Sequence, residues 1–222
     1  MSMDVVIAGG HGKIALLLTR ILSERGDRVR SLIRNPQHAA DVEAAGGEPV
    51  ECDIEEADEH AVASATAGAD AVVFAAGAGP GSGPERKWTV DHGGAVKLIA
   101  AAKANAIDRY VMVSTVGADP EAAGDDTFAV YLRAKGKADA ELSASGLAYT
   151  IVRPGPLTDD PGSGRIATGE DVGDGSISRE DVAAVLDVSL HDPELAGTTF
   201  VVIEGDAPIE QALAACRPSQ PR

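Results

Sequence analysis

Short apolar runs alternate with longer amphipathic segments along almost the whole chain. Residues 4–8 read DVVIA, a continuous apolar run of the kind found in strands buried on both faces of a sheet. Further strand-like runs lie at 29–33, 49–52, 69–75, 109–114, 149–153 and 198–203, and helical patterns at 13–25, 37–45, 55–67, 85–105, 128–145 and 178–191. This alternation indicates β-α-β units. The sequence therefore predicts an α/β fold with a doubly wound, mainly parallel sheet.

The 222 residues are expected to form a single domain. Residues 1–153 form the predicted core, and residues 154–222 form a small C-terminal lobe that carries the last strand. Ligands of doubly wound sheets bind outside the carboxyl ends of the strands, so we expect the functional site at that edge. The glycine-rich loop 77–84 and the segment 158–175 are candidate lids over that site, or simply mobile surface loops.

The chain is strongly acidic, with 35 Asp and Glu against 19 Lys and Arg and a formal net charge of −16. Such a charge argues against nucleic acid and anionic membrane surfaces as partners. No apolar stretch reaches the roughly 20 residues of a membrane helix, and no signal peptide is recognised. Cys52 and Cys216 match no metal or redox spacing, so we expect free thiols, no metal and a cytoplasmic protein.

A glycine-rich turn, Gly9-Gly10-His11-Gly12-Lys13-Ile14-Ala15, lies between the first strand and the first helix. It fits the pattern G-x-G-x-x-A, in which glycines let the backbone approach a pyrophosphate at a helix N-terminus. The turn predicts a dinucleotide site, and its alternative is an ordinary tight turn. His11 either points at the phosphate or is exposed and inert.

The end of the second strand indicates which dinucleotide is bound. An acidic residue there would bind the ribose 2′-hydroxyl of NAD, whereas this chain has Arg34, 22 residues after Gly12. A guanidinium suits a 2′-phosphate, which a carboxylate would repel. The sequence therefore predicts NADP, with NAD less favoured; the alternative is that Arg34 is an ordinary surface residue.

Tyr131 and Lys135 form a Y-x-x-x-K motif, and on a helix these positions share one face. A phenol with the usual pKa near 10 transfers protons poorly at neutral pH, but a nearby ammonium stabilises the phenolate. The motif thus predicts a proton-transfer pair. The alternative is a packed tyrosine beside a solvated lysine.

Together these residues resemble the atypical short-chain dehydrogenase/reductase group of Rossmann-fold, NAD(P)-binding proteins, often labelled NAD(P)-dependent epimerases. The resemblance covers nearly the whole chain, and its most specific part is YTIVRPG after the Y-x-x-x-K helix. The segments that carry it are 6–15, 31–36, 52–54, 72–79, 90–99, 109–115, 131–158, 176–183 and 200–213.

The resemblance implies roles for individual residues. The pyrophosphate would be held by Gly9, Gly10, His11, Gly12, Lys13 and Ile14, and the 2′-phosphate by Arg34. The adenosine would be bordered by Asp53, Ile54, Ala75, Ala76 and Gly77. The nicotinamide end would be held by Lys135, Pro154, Gly155, Pro156 and Leu157. Tyr131 would transfer the proton, and Ser114 or Thr115 would polarise a substrate carbonyl. Asp91, where catalytic members usually have Asn, would kink its helix and hold water, or merely solvate that helix.

These roles favour an NADP(H)-dependent oxidoreductase that acts on a small carbonyl or hydroxyl compound, as a monomer or homodimer. A sugar-nucleotide epimerase or dehydratase is the nearest enzymatic alternative, although such enzymes usually have a larger C-terminal substrate domain. A non-enzymatic NADP(H) sensor of the NmrA-like kind is the third hypothesis.

Overall fold

The computed structural model describes residues 2–169 and 172–218. The strands are β1 (Asp4–Ala8), β2 (Arg28–Ile33), β3 (Glu48–Glu51), β4 (Ala71–Phe74), β5 (Arg109–Val113), β6 (Ala148–Pro154), β7 (Leu157–Thr158), β8 (Arg165–Gly169), β9 (Ile177–Ser178), β10 (Thr198–Glu204) and β11 (Ala207–Pro208). The helices are α1 (Lys13–Arg25), α2 (Ala39–Ala44), α3 (Glu59–Thr66), α4 (Pro84–Arg86), α5 (Ala95–Ala104), α6 (Thr127–Ser143), α7 (Arg179–His191) and α8 (Ile209–Ala214). A π-helical segment, Lys87–Gly94, joins α4 to α5, and a 3₁₀ turn, Pro36–His38, precedes α2.

Nine of the strands form one sheet in the order β11-β8-β10-β6-β5-β4-β1-β2-β3 within the described residues. The pairs from β3 across to β10 are parallel, and β8 runs antiparallel to both β10 and β11. The prediction of an α/β fold with a doubly wound, mainly parallel sheet is therefore confirmed. The strand order reverses at β1, which lies between β2 and β4, so the loops after β1 and β4 meet at the switch point.

Apolar side chains fill both faces of the sheet. One core cluster packs α1 and α7 against β1, β5 and β10, and a second packs α3, α5 and α6 on the other face. In β1, Val5, Val6, Ile7 and Ala8 are fully buried, as a strand covered on both faces requires. The apolar stripe of α1 lies in the first cluster, and Gly26 ends that helix with φ of +96°.

Three boundaries differ from the expected pattern. The third helix begins at Glu59 instead of near residue 55, because the Asp58 carboxylate caps it by accepting a 2.8 Å hydrogen bond from the Ala61 amide. The long helix expected over 85–105 contains the π-helical segment. Part of the irregular stretch expected over 154–175 is strand β8, whose single buried residue, Ile166, leaves no alternation to recognise.

In the described ranges, none of the helices is both long enough and apolar enough to cross a lipid bilayer. Residues 170 and 171 of the candidate lid segment 158–175 lie outside those ranges.

Candidate functional site

The glycine turn follows β1 and leads directly into α1. Gly9 has φ of +79°, and a Cβ there would lie 2.6 Å from the Cα of Ala76. A Cβ on Gly10 would lie 2.5 Å from the Cβ of Ser31, so packing alone requires both glycines. At Gly12 the nearest atom to such a Cβ is the Gly9 carbonyl oxygen at 3.2 Å, and no side chain of the described residues caps the helix that begins there. Backbone amides at the start of α1 therefore remain available to an anion.

A cleft of about 280 Å³ opens beside this turn at the switch point of the sheet. Ligand pockets usually measure about 300–1,000 Å³, so the cleft suits part of a dinucleotide. The structure brings these predicted cofactor residues together in its wall: Gly9, His11, Gly12, Arg34, Asp53, Ile54, Ala75, Ala76 and Gly77. The others lie outside this wall: Gly10, Lys13, Ile14, Lys135, Pro154, Gly155, Pro156 and Leu157.

Charged side chains of the cleft are unequally paired. Arg86 Nη2 lies 2.6 Å from the Glu55 carboxylate, which also accepts a hydrogen bond from Thr89 Oγ1. The hydrogen bond from Arg86 is the main reason that the pKa of Glu55 is lowered, with Thr89 and the charge of Arg34 adding to it. Arg34 itself is exposed and has no hydrogen bond or ion pair with another residue of the described part of the chain. Its guanidinium is therefore free to bind an anion.

Sequence reasoning missed Glu55 and Arg86, which lie 31 positions apart and meet only across the folded cleft. It also missed His38, which lines the cleft from the 3₁₀ turn after β2. The His38 ring stacks on the ring of His11, with centroids 3.6 Å apart and planes inclined by 11°. His11 Nε2 in turn lies 2.7 Å from Asp41 Oδ2. No pattern in the sequence couples the glycine turn to α2 in this way.

Lys13, the first residue of α1, is involved in a surface ion-pair cluster. Its Nζ lies 2.6 Å from Asp159 Oδ2, and Arg179 Nη1 lies 2.7 Å from the other oxygen of that carboxylate. The hydrogen bond from Lys13, followed by the charge of Arg179, holds the pKa of Asp159 below its ordinary value. Exposed ion pairs of this kind contribute little to stability, so these contacts can exchange readily.

A buried ion pair lies next to the cleft, at the carboxyl ends of β4 and β5. Lys135 of α6 is 4% exposed, and its Nζ lies 3.5 Å from Oδ1 of Asp91, which is 1% exposed. The same Nζ donates to the carbonyl oxygens of Val113 at 3.1 Å and Ala76 at 3.5 Å. Asp91 belongs to the π-helical segment and accepts a hydrogen bond from the Ala78 amide. The pair thus ties α6 and the π-helical segment to the loop after β4.

Tyr131 lies one helical turn before Lys135 and is half-buried. Its ring centroid is 6.1 Å from that of Phe128, which is 65% exposed, and 5.4 Å from Nζ of Lys87. No hydrogen bond joins its phenol to another side chain within residues 2–169 and 172–218, and the Lys135 ammonium is turned toward Asp91. The structure therefore leaves the Tyr131 hydroxyl free for a ligand.

Ser114 and Thr115 follow β5. Ser114 is 3% exposed, and its hydroxyl donates a 2.9 Å hydrogen bond to Asp139 Oδ2, which Arg153 also contacts through Nε at 2.9 Å. Burial raises the pKa of Asp139, while Ser114 and Arg153 oppose that rise. Thr115 is half-buried and lies one residue further past the end of β5. Asp139 was missed, although its position one turn after Lys135 places both on one face of α6.

The segment after β6 has a packing role that its sequence does not reveal. The Gly155 amide donates to the Val202 carbonyl oxygen at 3.0 Å, and a Cβ on Gly155 would collide with the Gly175 carbonyl oxygen. Pro154 is buried, and Pro156 is exposed. The Ile177 amide donates to the Pro156 carbonyl oxygen. The roles assigned to this segment, and to the other predicted site residues, stay predictions.

Comparison with known proteins identifies the relatives of this chain. A family profile described as NAD(P)H-binding matches residues 9–193. The uncharacterised sugar epimerase YhfK of Bacillus subtilis (strain 168) is 38% identical over 212 residues, which cover 95% of this chain and 99% of YhfK.

Solved structures lead to the same group. A protein from Bacillus halodurans, classed as an NAD-dependent epimerase/dehydratase, has 37% identity and a TM-score of 0.89 over 96% of this chain and 100% of its own. The oxidoreductase ylbE from Lactococcus lactis has 26% identity and a TM-score of 0.83 over 96% of each chain. The profile match, the identity to YhfK and the shared Rossmann architecture show that the chain belongs to the NAD(P)H-binding family, within the atypical short-chain dehydrogenases/reductases.

Proposed function

We propose that this protein is an NADP(H)-dependent oxidoreductase that acts on a small carbonyl or hydroxyl compound. The observation that carries the proposal is the placement of Tyr131 one turn from the buried Lys135, whose ammonium binds carbonyl oxygens at the ends of β4 and β5. Strand β4 also leads into the loop whose residues Ala75, Ala76 and Gly77 line the cleft beside the glycine turn. The proposed proton-transfer group and the proposed dinucleotide site would therefore lie at the same edge of the sheet.

The residues of the cleft fit an NADP(H) molecule. Gly12 has no side chain in the way of a pyrophosphate, and the uncapped amides at the start of α1 would donate to its oxygens. Lys13 would add a positive charge there. The unpaired Arg34 would bind the ribose 2′-phosphate, and Asp53 with Ile54 would border the adenine. When bound, the cofactor would supply or accept the hydride of the reaction.

The side chains of α6 and β5 would handle the proton and the substrate oxygen. The Tyr131 phenol would hold the proton that is given to, or taken from, the substrate oxygen. Lys135, fixed by Asp91 and two carbonyl oxygens, would place a positive charge on the same helix face. Because the Ser114 hydroxyl already donates to Asp139, Thr115 is the better candidate to donate a hydrogen bond to the substrate oxygen.

Cofactor preference is tested by thermal shift and equilibrium titration with NADPH and NADH. NADPH should stabilise the protein far more than NADH, and Arg34→Ala should weaken NADPH binding by about 10- to 150-fold through loss of a charge-assisted hydrogen bond. Arg20→Ala, on an exposed position of α1, is the matched control and should leave binding unchanged. Equal shifts with the two dinucleotides would contradict the assignment of Arg34.

Catalysis is tested with a panel of small aldehydes and ketones in the presence of NADPH. Tyr131→Phe should abolish turnover and leave NADPH binding intact. Tyr149→Phe, near the amino-terminal end of β6, should retain both turnover and NADPH binding. A Tyr131→Phe enzyme that turns over at the wild-type rate would exclude the phenol as the proton donor.

A sugar-nucleotide epimerase is the second candidate, because YhfK is described as an uncharacterised sugar epimerase and is similar over 99% of its length. The small lobe after residue 153 argues against it, since such enzymes use a sizeable substrate domain. Interconversion of nucleotide sugars by the purified protein would favour this candidate. Tight NADPH binding without turnover of any substrate would favour an NADP(H) sensor instead.

The proposed partners are the dinucleotide and a small molecule, with neither nucleic acid nor membrane, and the chain acts as a monomer or homodimer. We also propose a cytoplasmic location, which agrees with the two free cysteines, Cys52 and Cys216.

A further inference from the structure

Two imidazoles line the same cleft as Arg34. His11 comes from the glycine turn and His38 from the 3₁₀ turn after β2, and their rings stack in parallel at 3.6 Å. Asp41 binds His11 through Nε2 at 2.7 Å and so anchors one member of the stack. The ring nitrogens of His38 make no hydrogen bond with any other residue that the structure describes. His38 is half-exposed, so a ligand in the cleft can reach it.

The cleft that His38 lines contains two carboxylates and two guanidinium groups, and Asp41 contacts the stack through His11. The cleft presents two carboxylates, Asp53 and Glu55, but Glu55 is neutralised by its bidentate contact with Arg86. Asp53 Oδ1 accepts a hydrogen bond from the Glu55 amide. Among the described residues that line the cleft, Arg34 is an arginine without an ion pair, and it lies four residues before His38 on the same β2–α2 connection. Within the described residues, neither the Arg34 guanidinium nor the His38 ring makes a hydrogen bond to a carboxylate, so both remain available as donors to an anion.

We propose that His38 is a second ligand of the ribose 2′-phosphate, and that the His11–His38 stack takes up a proton when NADPH binds. This inference rests on the proposed NADP(H) function and adds a pH-dependent specificity that Arg34 alone does not provide. Two stacked imidazolium ions repel each other, so without an anion the stack resists a second positive charge. A phosphate dianion bound to His38 removes that resistance, because it offsets the added charge.

The consequence is an affinity for NADPH that falls as the pH rises, with no matching change for NADH. A phosphate monoester has its second pKa near 6, so it is almost fully ionised at pH 7.0 and above. Histidine is the side chain whose charge ordinarily changes between pH 5 and pH 8, so less protonated imidazole is available to the phosphate at pH 8.5 than at pH 7.0. A charge-assisted hydrogen bond to the phosphate is worth about 10- to 150-fold in affinity, so NADPH affinity should fall severalfold between these pH values.

The test measures dissociation constants of NADPH and NADH at pH 7.0 and pH 8.5 for the wild type, His38→Gln and His60→Gln. His60 is an exposed histidine of α3 outside the cleft, and His60→Gln should retain the wild-type pH dependence. His38→Gln should bind NADPH more weakly than the wild type does at pH 7.0. Its affinity for NADPH should be the same at pH 8.5 as at pH 7.0. Calorimetry in buffers of different ionisation enthalpy should show proton uptake with NADPH in the wild type and none in His38→Gln.

The outcomes separate this inference from the proposed function. A preference for NADPH that does not change with pH, or a pH dependence that persists in His38→Gln, would overturn the role of His38 and leave Arg34 and the proposed function standing. Equal affinity for NADPH and NADH at both pH values would overturn the 2′-phosphate site as a whole, and with it this inference. Because His38 is half-exposed, its substitution should leave the fold intact. Unchanged melting temperatures of the variants would show this.

Discussion

Substitution of Lys135 by Met tests whether the buried contact between Lys135 and Asp91 has the energetic cost of disruption that an ion pair has. The change keeps the length of the side chain but leaves the Asp91 carboxylate, 1% exposed, with the Ala78 amide as its hydrogen-bond donor. Removing one partner of a buried pair costs about 3–5 kcal/mol, because the other charge remains desolvated. Domains are usually stable by about 5–15 kcal/mol, so the loss should be large but measurable.

Urea unfolding at pH 7 measures the loss, and a double-mutant cycle identifies its cause. Asp91→Asn keeps an acceptor for the Ala78 amide and removes the unpaired charge, so adding it to Lys135→Met should recover stability. We expect a coupling energy of about 1–3 kcal/mol between the two positions. Lys103→Met, on an exposed site of α5, is the control and should change stability by about 0.5 kcal/mol or less. A loss below about 1 kcal/mol for Lys135→Met, or a coupling energy near zero, would refute the reasoning.

Three further substitutions have expected outcomes that follow from local contacts. Gly12→Ala should weaken dinucleotide binding with little change in melting temperature. Gly9→Ala should lower the melting temperature, because the φ of Gly9 is +79° and a Cβ there would meet Ala76. A lower melting temperature for Gly12→Ala than for Gly9→Ala, with binding unchanged, would contradict the assignment of Gly12 to the ligand. Glu55→Gln should flatten the pH dependence of stability. The folded-state pKa of Glu55 is lowered, so the stability that its carboxylate contributes is present above the unfolded value of 4.5 and is lost as the pH falls through the folded value. Urea unfolding between pH 3 and pH 6 should therefore show a steeper loss of stability in the wild type than in the variant. Gly136→Ala, although alanine favours helices, should destabilise α6 by about 1–3 kcal/mol, because the new Cβ would collide with the backbone of Asp119; an unchanged or higher melting temperature would argue against that close contact.

The order of strands and helices was predictable because it depends on short-range patterns. Buried strands need continuous apolar runs, and α1 needs an apolar stripe; both are visible in residues 4–25 without any knowledge of partners. Strand β8 was missed because an antiparallel strand near the sheet edge, with one buried side chain, produces no such pattern. The π-helical segment was missed for a related reason, since Asp91 is stabilised inside it by Lys135, a residue from another helix.

The site shows the same division. The amino-acid sequence by itself determined the glycine turn, the arginine at the end of β2 and the tyrosine–lysine spacing, since each depends on neighbours within about 25 positions. Only the tertiary structure decided that Ser114 donates to Asp139, that Glu55 pairs with Arg86, and that His38 stacks on His11. These contacts join residues from different elements, and their energies depend on burial and on the distance between charges. Both quantities exist only once the sheet has brought the carboxyl ends of its strands to one edge.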